Sequence, residues 1–278
     1  MSDKEHPLWR RAAQPVIGMV HLAPLPGAPR FAGDLEAVGQ RAAQDAQTLR
    51  DGGVDALLIE NYGDTPFYPR RVPAAVAAHM TAIAARLRER VDLPLGVNVL
   101  RNDGLAALAV AHAVGADFIR VNVLCGARVT DQGVIEGAAH ELLRERARLG
   151  AERIHILADV SVKHSTPLGP EPPIEQEVAD LLERGHADGV IVTGSGTGRP
   201  IDVEALRRVR AAAGASRVLV GSGVTPGTIR DLAGFAHGFI VGTALKVDGV
   251  ATNPVDAARV RALVEALRPG QADGAGQR

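Results

Sequence analysis

Several short apolar runs in this chain end in residues that can do chemistry. VIGMV ends at His21, ALLI at Glu60-Asn61, LGV at Asn98, and FI-Arg-V carries Arg120 and ends at Asn122. ILADV carries Asp159 and leads to Ser161 and Lys163, while GVIV leads to Thr193-Gly194. The last two runs, RVLV and GFIV, end in Gly221-Ser222-Gly223 and Gly242-Thr243. The glycine ends point to an anion, because a backbone without Cβ lets N–H groups approach an oxyanion closely. Thr225-Pro226 predicts a helix start just after Gly223, adding unsatisfied N–H donors. A phosphate seat at Gly221, Ser222, Gly223, Gly242 and Thr243 follows as the first expectation.

The remaining residues supply proton transfer and charge. Asp159, Ser161 and Lys163 are spaced by two, so they share a face while the chain stays extended. Lys163 could be a charged ligand for phosphate or carboxylate, an amine nucleophile or base of lowered pKa, or one half of a structural ion pair with Asp159. Glu60 reads as a general base or as a carboxylate organising its own loop. Arg120 lies inside an apolar run, which calls for a partner, either Glu60 or Asp159 or the substrate. Glu60, Asp159 and Lys163 are therefore the catalytic candidates. His21, Asn98, Arg120, Asn122, Thr193 and Gly194 join the glycines as binding candidates. His21, Glu60, Asp159 and His164 are chemically able to hold a metal, but their spacing names neither a metal nor a cofactor. Cys125, the single cysteine, reads as a small buried thiol and rules out an intrachain disulfide.

These residues need a scaffold that gathers eight strand ends. Apolar runs alternate with helical patterns eight times, and the runs are apolar throughout, as in a parallel sheet covered on both faces. The fold class expected is a single (β/α)8 barrel, whose strand C-termini share one mouth and whose last two loops commonly bind phosphate. An open dinucleotide-binding sheet lacks its fingerprint here, because the first strand ends in His21-Leu22, and TGSGTG after the sixth strand lacks the Lys-Ser/Thr of a phosphate-loop nucleotidase. The segment from Cys125 to Gly137 and the one after Val160 read as loops. Residues 1–14 read as a polar leader, 15–267 as the barrel and 268–278 as a polar tail.

Composition narrows the partners. The 278 residues have a formal net charge of −1 and 46% hydrophobic residues but only 3% aromatics, so Val, Ile, Leu and Ala must fill the core. Basic residues lie beside acidic ones with no basic stripe, which argues against nucleic acid. The N-terminus carries no signal-peptide core, and no run approaches the length of a membrane span, so a cytoplasmic protein is expected. Alanine-rich helical faces would suit a homo-oligomer.

Segments along nearly the whole chain resemble the BtpA/SgcQ family: IGMVHLAPLPGAP, ENYGDTPF, GVNVLRND, RVNVLCGARVTDQGVIEG, DVSVKHSTPL, TGSGTG and GSGVT, in that order. The resemblance implies a phosphate-binding TIM barrel. The family's namesake is associated with photosystem I biogenesis at the thylakoid membrane, and the SgcQ branch with sugar metabolism. Two functions are thus in view: an enzyme acting on a phosphorylated small molecule (isomerase, aldolase or lyase, or hydrolase), and a non-catalytic assembly or regulatory factor.

Overall fold

In a computed structural model of the chain, residues 6–194 and 201–269 are described. The leader residues 1–5, the Ser195–Pro200 part of the glycine-rich loop and the tail from 270 onward lie outside the described residues. Eight parallel strands close into a barrel: β1 (Val16–His21), β2 (Ala56–Glu60), β3 (Leu95–Asn98), β4 (Phe118–Val121), β7 (His155–Val160), β9 (Gly189–Val192), β10 (Arg217–Val220) and β11 (Gly238–Val241). β1 pairs with both β2 and β11, which closes the ring. The single (β/α)8 barrel expected from the sequence is the fold. Between the strands run α2 (Leu35–Asp51), α3 (Ala74–Arg90), α4 (Gly104–Ala113), α5 (Ala139–Arg148), α6 (Ile174–Ala179), α7 (Val203–Ala212), α8 (Ile229–Ala233) and α9 (Ala257–Leu267). Side-chain caps start several of them: Asp34 accepts from Ala37 N–H, Asp103 from Ala106 N–H and Asp202 from Glu204 N–H, each at 2.9 Å.

Alternate strand residues point into the barrel, and following that period explains where the site must be. Ile17 and Met19, Ala56 and Leu58, Phe118, Leu157, Ile191, Leu219 and Ile240 form one apolar cluster with Leu8 and Trp9. Two residues further along each strand the same face reaches His21, Glu60, Arg120, Asp159, Thr193, Gly221 and Gly242. The inner face changes from apolar to polar within one step. Gly96 is required in that packing, since a Cβ there would stand 2.1 Å from the Phe118 ring.

At the opposite end of the barrel a repeated device ties neighbouring strands together. Asp55, just before β2, accepts from Val16 N–H at 2.8 Å; Asp117, before β4, from Leu95 N–H at 2.8 Å; Asp188, before β9, from Ile156 N–H at 2.8 Å. His237, before β11, accepts from Val218 N–H in the same way at 3.0 Å. Each aspartate also pairs with an arginine: Arg268 at 2.6 Å, Arg88 at 3.3 Å and Arg146 at 2.8 Å. Asp188, an ordinary turn residue by sequence, is thus a strand clamp. Arg268, read as the start of the tail, is likewise part of this end of the fold.

Three local expectations change. Pro7–Arg11 of the leader forms a helix, α1, whose Leu8 and Trp9 are buried as the barrel floor; His6 stacks on His155 at 3.6 Å between ring centroids and hydrogen-bonds Asp117 O at 2.9 Å. The Cys125–Gly137 segment, read as loop, holds an antiparallel hairpin, β5 (Ala127–Thr130) and β6 (Gly133–Glu136), joined by β8 (Ser165–Pro167) in a three-stranded sheet. The helix expected from Thr225 has its regular part only at Ile229–Ala233, although Thr225 O already accepts from Ile229 N–H at 3.0 Å. One short helix gives little dipole to an anion, so backbone donors must carry any binding there.

Candidate active site

The polar layer at the strand ends is built around a buried pair. Arg120 donates from Nε to Asp159 Oδ1 at 2.9 Å and from Nη2 to Oδ2 at 3.0 Å, and Asn122 Nδ2 adds a third bond to Oδ2 at 2.7 Å. Of the partners weighed for Arg120, Asp159 is the one it takes. Burial alone would lower the Arg120 pKa, but the two-pronged contact with Asp159 outweighs it and keeps the guanidinium charged. Both Asp159 oxygens accept hydrogen bonds, so this carboxylate orients Arg120. The ion pair between Asp159 and Lys163 does not form.

Lys163 reaches the mouth by another route than the one its spacing implied. The strand ends at Val160, Ser161 takes a left-handed backbone conformation (φ 48), and its Oγ and N–H both bond Glu177 of α6 at 2.9 Å. Ser161 thus turns away to the helix layer, while Lys163 lines the mouth. Its carbonyl accepts from Arg101 Nη2 at 2.6 Å, and its ammonium makes no ion pair or hydrogen bond among the described residues. Burial, followed by the neighbouring Arg120, lowers its pKa against the opposing pull of Glu60 and Asp159.

Glu60 is in the complementary state. It is 7% exposed, and no described hydrogen bond reaches its carboxylate, so the loop-organising role falls to Asn61, which accepts from Leu100 N–H at 2.7 Å and donates to Asp64 at 3.0 Å. Burial raises the Glu60 pKa, opposed by Arg120 and Lys163. Register places it between His21 on β1 and Asn98 on β3. His21 Nε2 stands 3.9 Å from Glu60 Oε1, its Nδ1 bonds Ala251 O at 3.1 Å, and its ring stacks on Tyr62 at 4.5 Å. Burial and then Lys246 lower the His21 pKa to about 3, so the ring is neutral at pH 7. A neutral ring donating through Nδ1 leaves the Nε2 lone pair toward Glu60.

Next to these groups lies a cavity of about 210 Å³ lined by His21, Glu60, Tyr62, Arg120 and Lys163 on one side and by residues 221–225 and 242–244 on the other. The two loops differ from the simplest expectation in one respect. Gly221 N–H is already used, donating to Val192 O at 2.8 Å, so Gly221 contributes space: a Cβ there would meet Ile191 at 2.7 Å and Thr193 at 3.3 Å. The donors left are the N–H groups of Ser222, Gly223 and Val224 on one loop and of Gly242, Thr243 and Ala244 on the other, none of which donates to another described residue. Gly223 has φ +68, a backbone state that favours glycine. Gly242 cannot gain a Cβ without approaching the His21 ring to 3.0 Å. A fully buried ion pair, Lys246 to Asp45 of α2 at 2.9 Å, anchors the second loop; Asp45 also accepts from Val255 N–H at 2.8 Å. Nothing local in the sequence marks Lys246 for this role.

A second cavity of about 440 Å³ adjoins the first, sharing Glu60, Tyr62, Arg120 and Lys163 and adding Phe67, Leu100, Arg101, Asn122, Asp131 and His164. Tyr62, Phe67 and Arg101 were not singled out by sequence, because they lie beyond the strand ends and only the closed mouth brings them in. Asn98, Thr193 and Gly194 line neither cavity, and the Ser195–Gly198 remainder of the TGSGTG stretch is outside the described residues. Asn98 Nδ2, Asn122 Oδ1 and Thr193 Oγ1 are buried with no described hydrogen-bond partner. Such orphaned atoms are rare in a finished interior. No three His, Cys, Asp or Glu side chains among the described residues converge to hold a metal, so His21, Glu60, Asp159 and His164 do not form the cluster considered from sequence. Cys125 is half-buried with its thiol pKa raised by burial, an unreactive state.

Comparison with known proteins fixes the lineage. The model of the BtpA family matches residues 12–269. The chain belongs to the BtpA family. It is 49% identical over 252 residues to an uncharacterised protein of Thermococcus kodakarensis, covering 91% of this chain and 94% of the relative. It is also 49% identical over 256 residues to the photosystem I biogenesis protein BtpA of Synechocystis, covering 92% and 88%. Among solved structures, orotidine 5'-phosphate decarboxylase of Pyrococcus horikoshii aligns with TM-score 0.54 at 17% identity, covering 91% of this chain and 99% of that one. Phosphoribosyl anthranilate isomerase of Thermus thermophilus aligns with TM-score 0.53 at 13% identity, covering 91% and 98%. At these identities the likeness concerns the barrel. No helix among the described residues of this BtpA-family chain is long and apolar enough to cross a membrane.

Proposed function

We propose that this BtpA-family protein is a cytoplasmic enzyme that carries out proton transfer on a phosphorylated small molecule, a sugar phosphate or nucleotide-like compound. The observation that carries the reading is the shared cavity: two loops whose backbone N–H groups have no described acceptor line the same space as Glu60 and Lys163. The N–H runs would hold the phosphate, each hydrogen bond to the charged oxygens contributing about 1.5–3 kcal/mol. Glu60 and Lys163 have pKa values moved toward each other by burial, the carboxyl up and the ammonium down. Shifts in these directions are those that suit a carboxylate base and an ammonium acid. Glu60 would remove a proton beside the substrate carbonyl and Lys163 would stabilise or protonate the oxyanion that forms. Arg120, fixed by Asp159 and Asn122, supplies a fixed positive charge beside it. Asp159 is then a positioning residue. Chemistry of this kind fits an isomerase or a lyase.

Thermal melts with sugar phosphates, nucleotides and inorganic phosphate test the reading. A ligand at 100 times its Kd stabilises by about 2.7 kcal/mol, or roughly 5–10 °C for a domain of this size. A shift with phosphorylated compounds, absent for their dephosphorylated counterparts, is expected; a flat panel on folded protein contradicts it. The name of the Synechocystis relative favours a second reading, a factor that assists assembly of another protein. That reading requires partner binding that survives replacement of Lys163 and Gly223.

A further inference from the structure

The phosphate seat occupies only one of the two joined cavities, and the cations that line the other are not all ion-paired among the described residues. Arg120 already has an ion-pair partner in Asp159. Arg101 is 5% exposed, yet no carboxylate pairs with it among the described residues; its one described side-chain bond goes to a neutral acceptor, Lys163 O. The carboxylates that line the larger cavity are Glu60 and Asp131. Glu60 pairs with neither cation there, and Asp131, exposed at the turn of the β5–β6 hairpin, accepts from Gln132 instead. Lys163 is unpaired as well and lines both cavities. A guanidinium this deeply buried is expensive without a counter-charge. Phe67, Tyr62 and Leu100 line the same cavity and lower the polarity around any pairing made there.

Granted the reading of the glycine loops as a phosphate seat, we infer that the substrate carries a second anionic group at its far end, held by Arg101 with Lys163 beside it. The natural ligand is therefore a phosphorylated compound with an additional carboxylate or phosphoryl group, rather than a neutral sugar phosphate. The guanidinium has its Nε and Nη1 N–H groups uncommitted among the described residues, enough for a planar or tetrahedral oxyanion. Arg101 follows directly on Leu100, whose N–H is held by Asn61, so the backbone that carries it is fixed from β2.

Calorimetric titration decides this with pairs of compounds. Glycerol 3-phosphate and glucose 6-phosphate carry one anionic group; 3-phosphoglycerate and 6-phosphogluconate add a carboxylate, and fructose 1,6-bisphosphate adds a second phosphate. The wild-type protein should bind at least one of the doubly anionic compounds about tenfold or more tightly than its singly anionic counterpart. Which arm gains identifies carboxylate or phosphoryl. In Arg101→Gln the preference should shrink to within about twofold while glycerol 3-phosphate keeps its affinity, and in Arg101→Lys part of the preference should return. Equal binding of both classes by wild-type protein overturns the second anion and leaves the phosphate seat standing. An unchanged preference in Arg101→Gln overturns the role of Arg101. Failure of every phosphorylated compound to bind overturns the seat itself and this inference with it. Should Arg101→Gln not fold, the wild-type comparison and Arg101→Lys still decide.

Discussion

The two ends of this barrel hold comparable numbers of charged groups and use them oppositely. At the floor, Asp55, Asp117 and Asp188 each accept a strand N–H at 2.8 Å and pair with an arginine, while Leu8 and Trp9 fill the bore above them. At the mouth, among the described residues, the Glu60 carboxylate accepts no hydrogen bond, Lys163 and Arg101 pair with no carboxylate, and Asn98, Asn122 and Thr193 each leave a buried atom without a partner. Satisfied carboxylates stabilise; unsatisfied ones wait for a ligand. The floor is not perfect, since Trp9 Nε1 is also orphaned. What separates the ends is that the floor's aspartates all close on arginines, whereas at the mouth only Arg120 and Asp159 do so and Glu60, Lys163 and Arg101 line the two cavities. Stability and function are thus assigned to opposite ends of the same strands.

Substitutions can break that division, and the largest effect belongs to the mouth. Lys163→Met should lower turnover of an identified substrate by about 10²–10⁴-fold with the melting temperature nearly unchanged; full turnover would remove Lys163 from the chemistry. Gly223→Val, which strains a backbone at φ +68, should weaken binding of a phosphorylated ligand by roughly 10–100-fold, read by calorimetry. At the floor the sign of the experiment reverses. Asp117→Ala strands the Leu95 N–H and frees Arg88, so it should cost about 1–3 kcal/mol in denaturant melts and leave ligand affinity alone. A floor substitution that abolished binding would dissolve the comparison.

The smallest effects are pH-dependent and run in opposite directions. Glu60 has its folded pKa raised, so the folded state holds a proton that the unfolded state has released, and stability falls as pH rises from the unfolded carboxylate value through the folded one. Glu60→Gln should therefore match wild type in acid and exceed it near pH 7. His21 has its folded pKa lowered from 6.5 to about 3, so the unfolded state takes up the proton first and stability falls as pH drops through that window. His21→Asn should flatten the acid limb of the stability curve. Identical pH profiles for the variants and wild type would mean the mouth is more solvated than its geometry indicates.

Much of this was legible in the sequence because a barrel strand reports its inner face every second residue. Ile17, Met19, His21 and Ala56, Leu58, Glu60 read as apolar, apolar, polar, and the folded strands place them in that order from floor to mouth. Pairing was less legible. Arg120 required a partner by its surroundings, but only the closed sheet selects Asp159, and that choice leaves Lys163 without an ion-pair partner among the described residues. The two-residue spacing misled at Ser161, where a left-handed turn to Glu177 breaks the extended chain. The β-branched residues Val129, Thr130, Val134 and Ile135 on either side of Asp131-Gln132-Gly133 are a hairpin signal, hidden within a stretch taken for loop. Arg101 gave no local signal. Its place in the site depends on the path of the chain beyond β3.

If the N–H groups after β10 and β11 hold a phosphate, amide resonances report on it directly. In a deuterated, 15N-labelled sample titrated with a phosphorylated compound that stabilises the fold, the amides of Ser222, Gly223, Val224, Gly242, Thr243 and Ala244 should shift together and saturate. The clamped floor amides of Val16, Leu95, Ile156 and Val218 should stay in place. Saturable shifts confined to other residues, or none in the two glycine loops, would contradict the account.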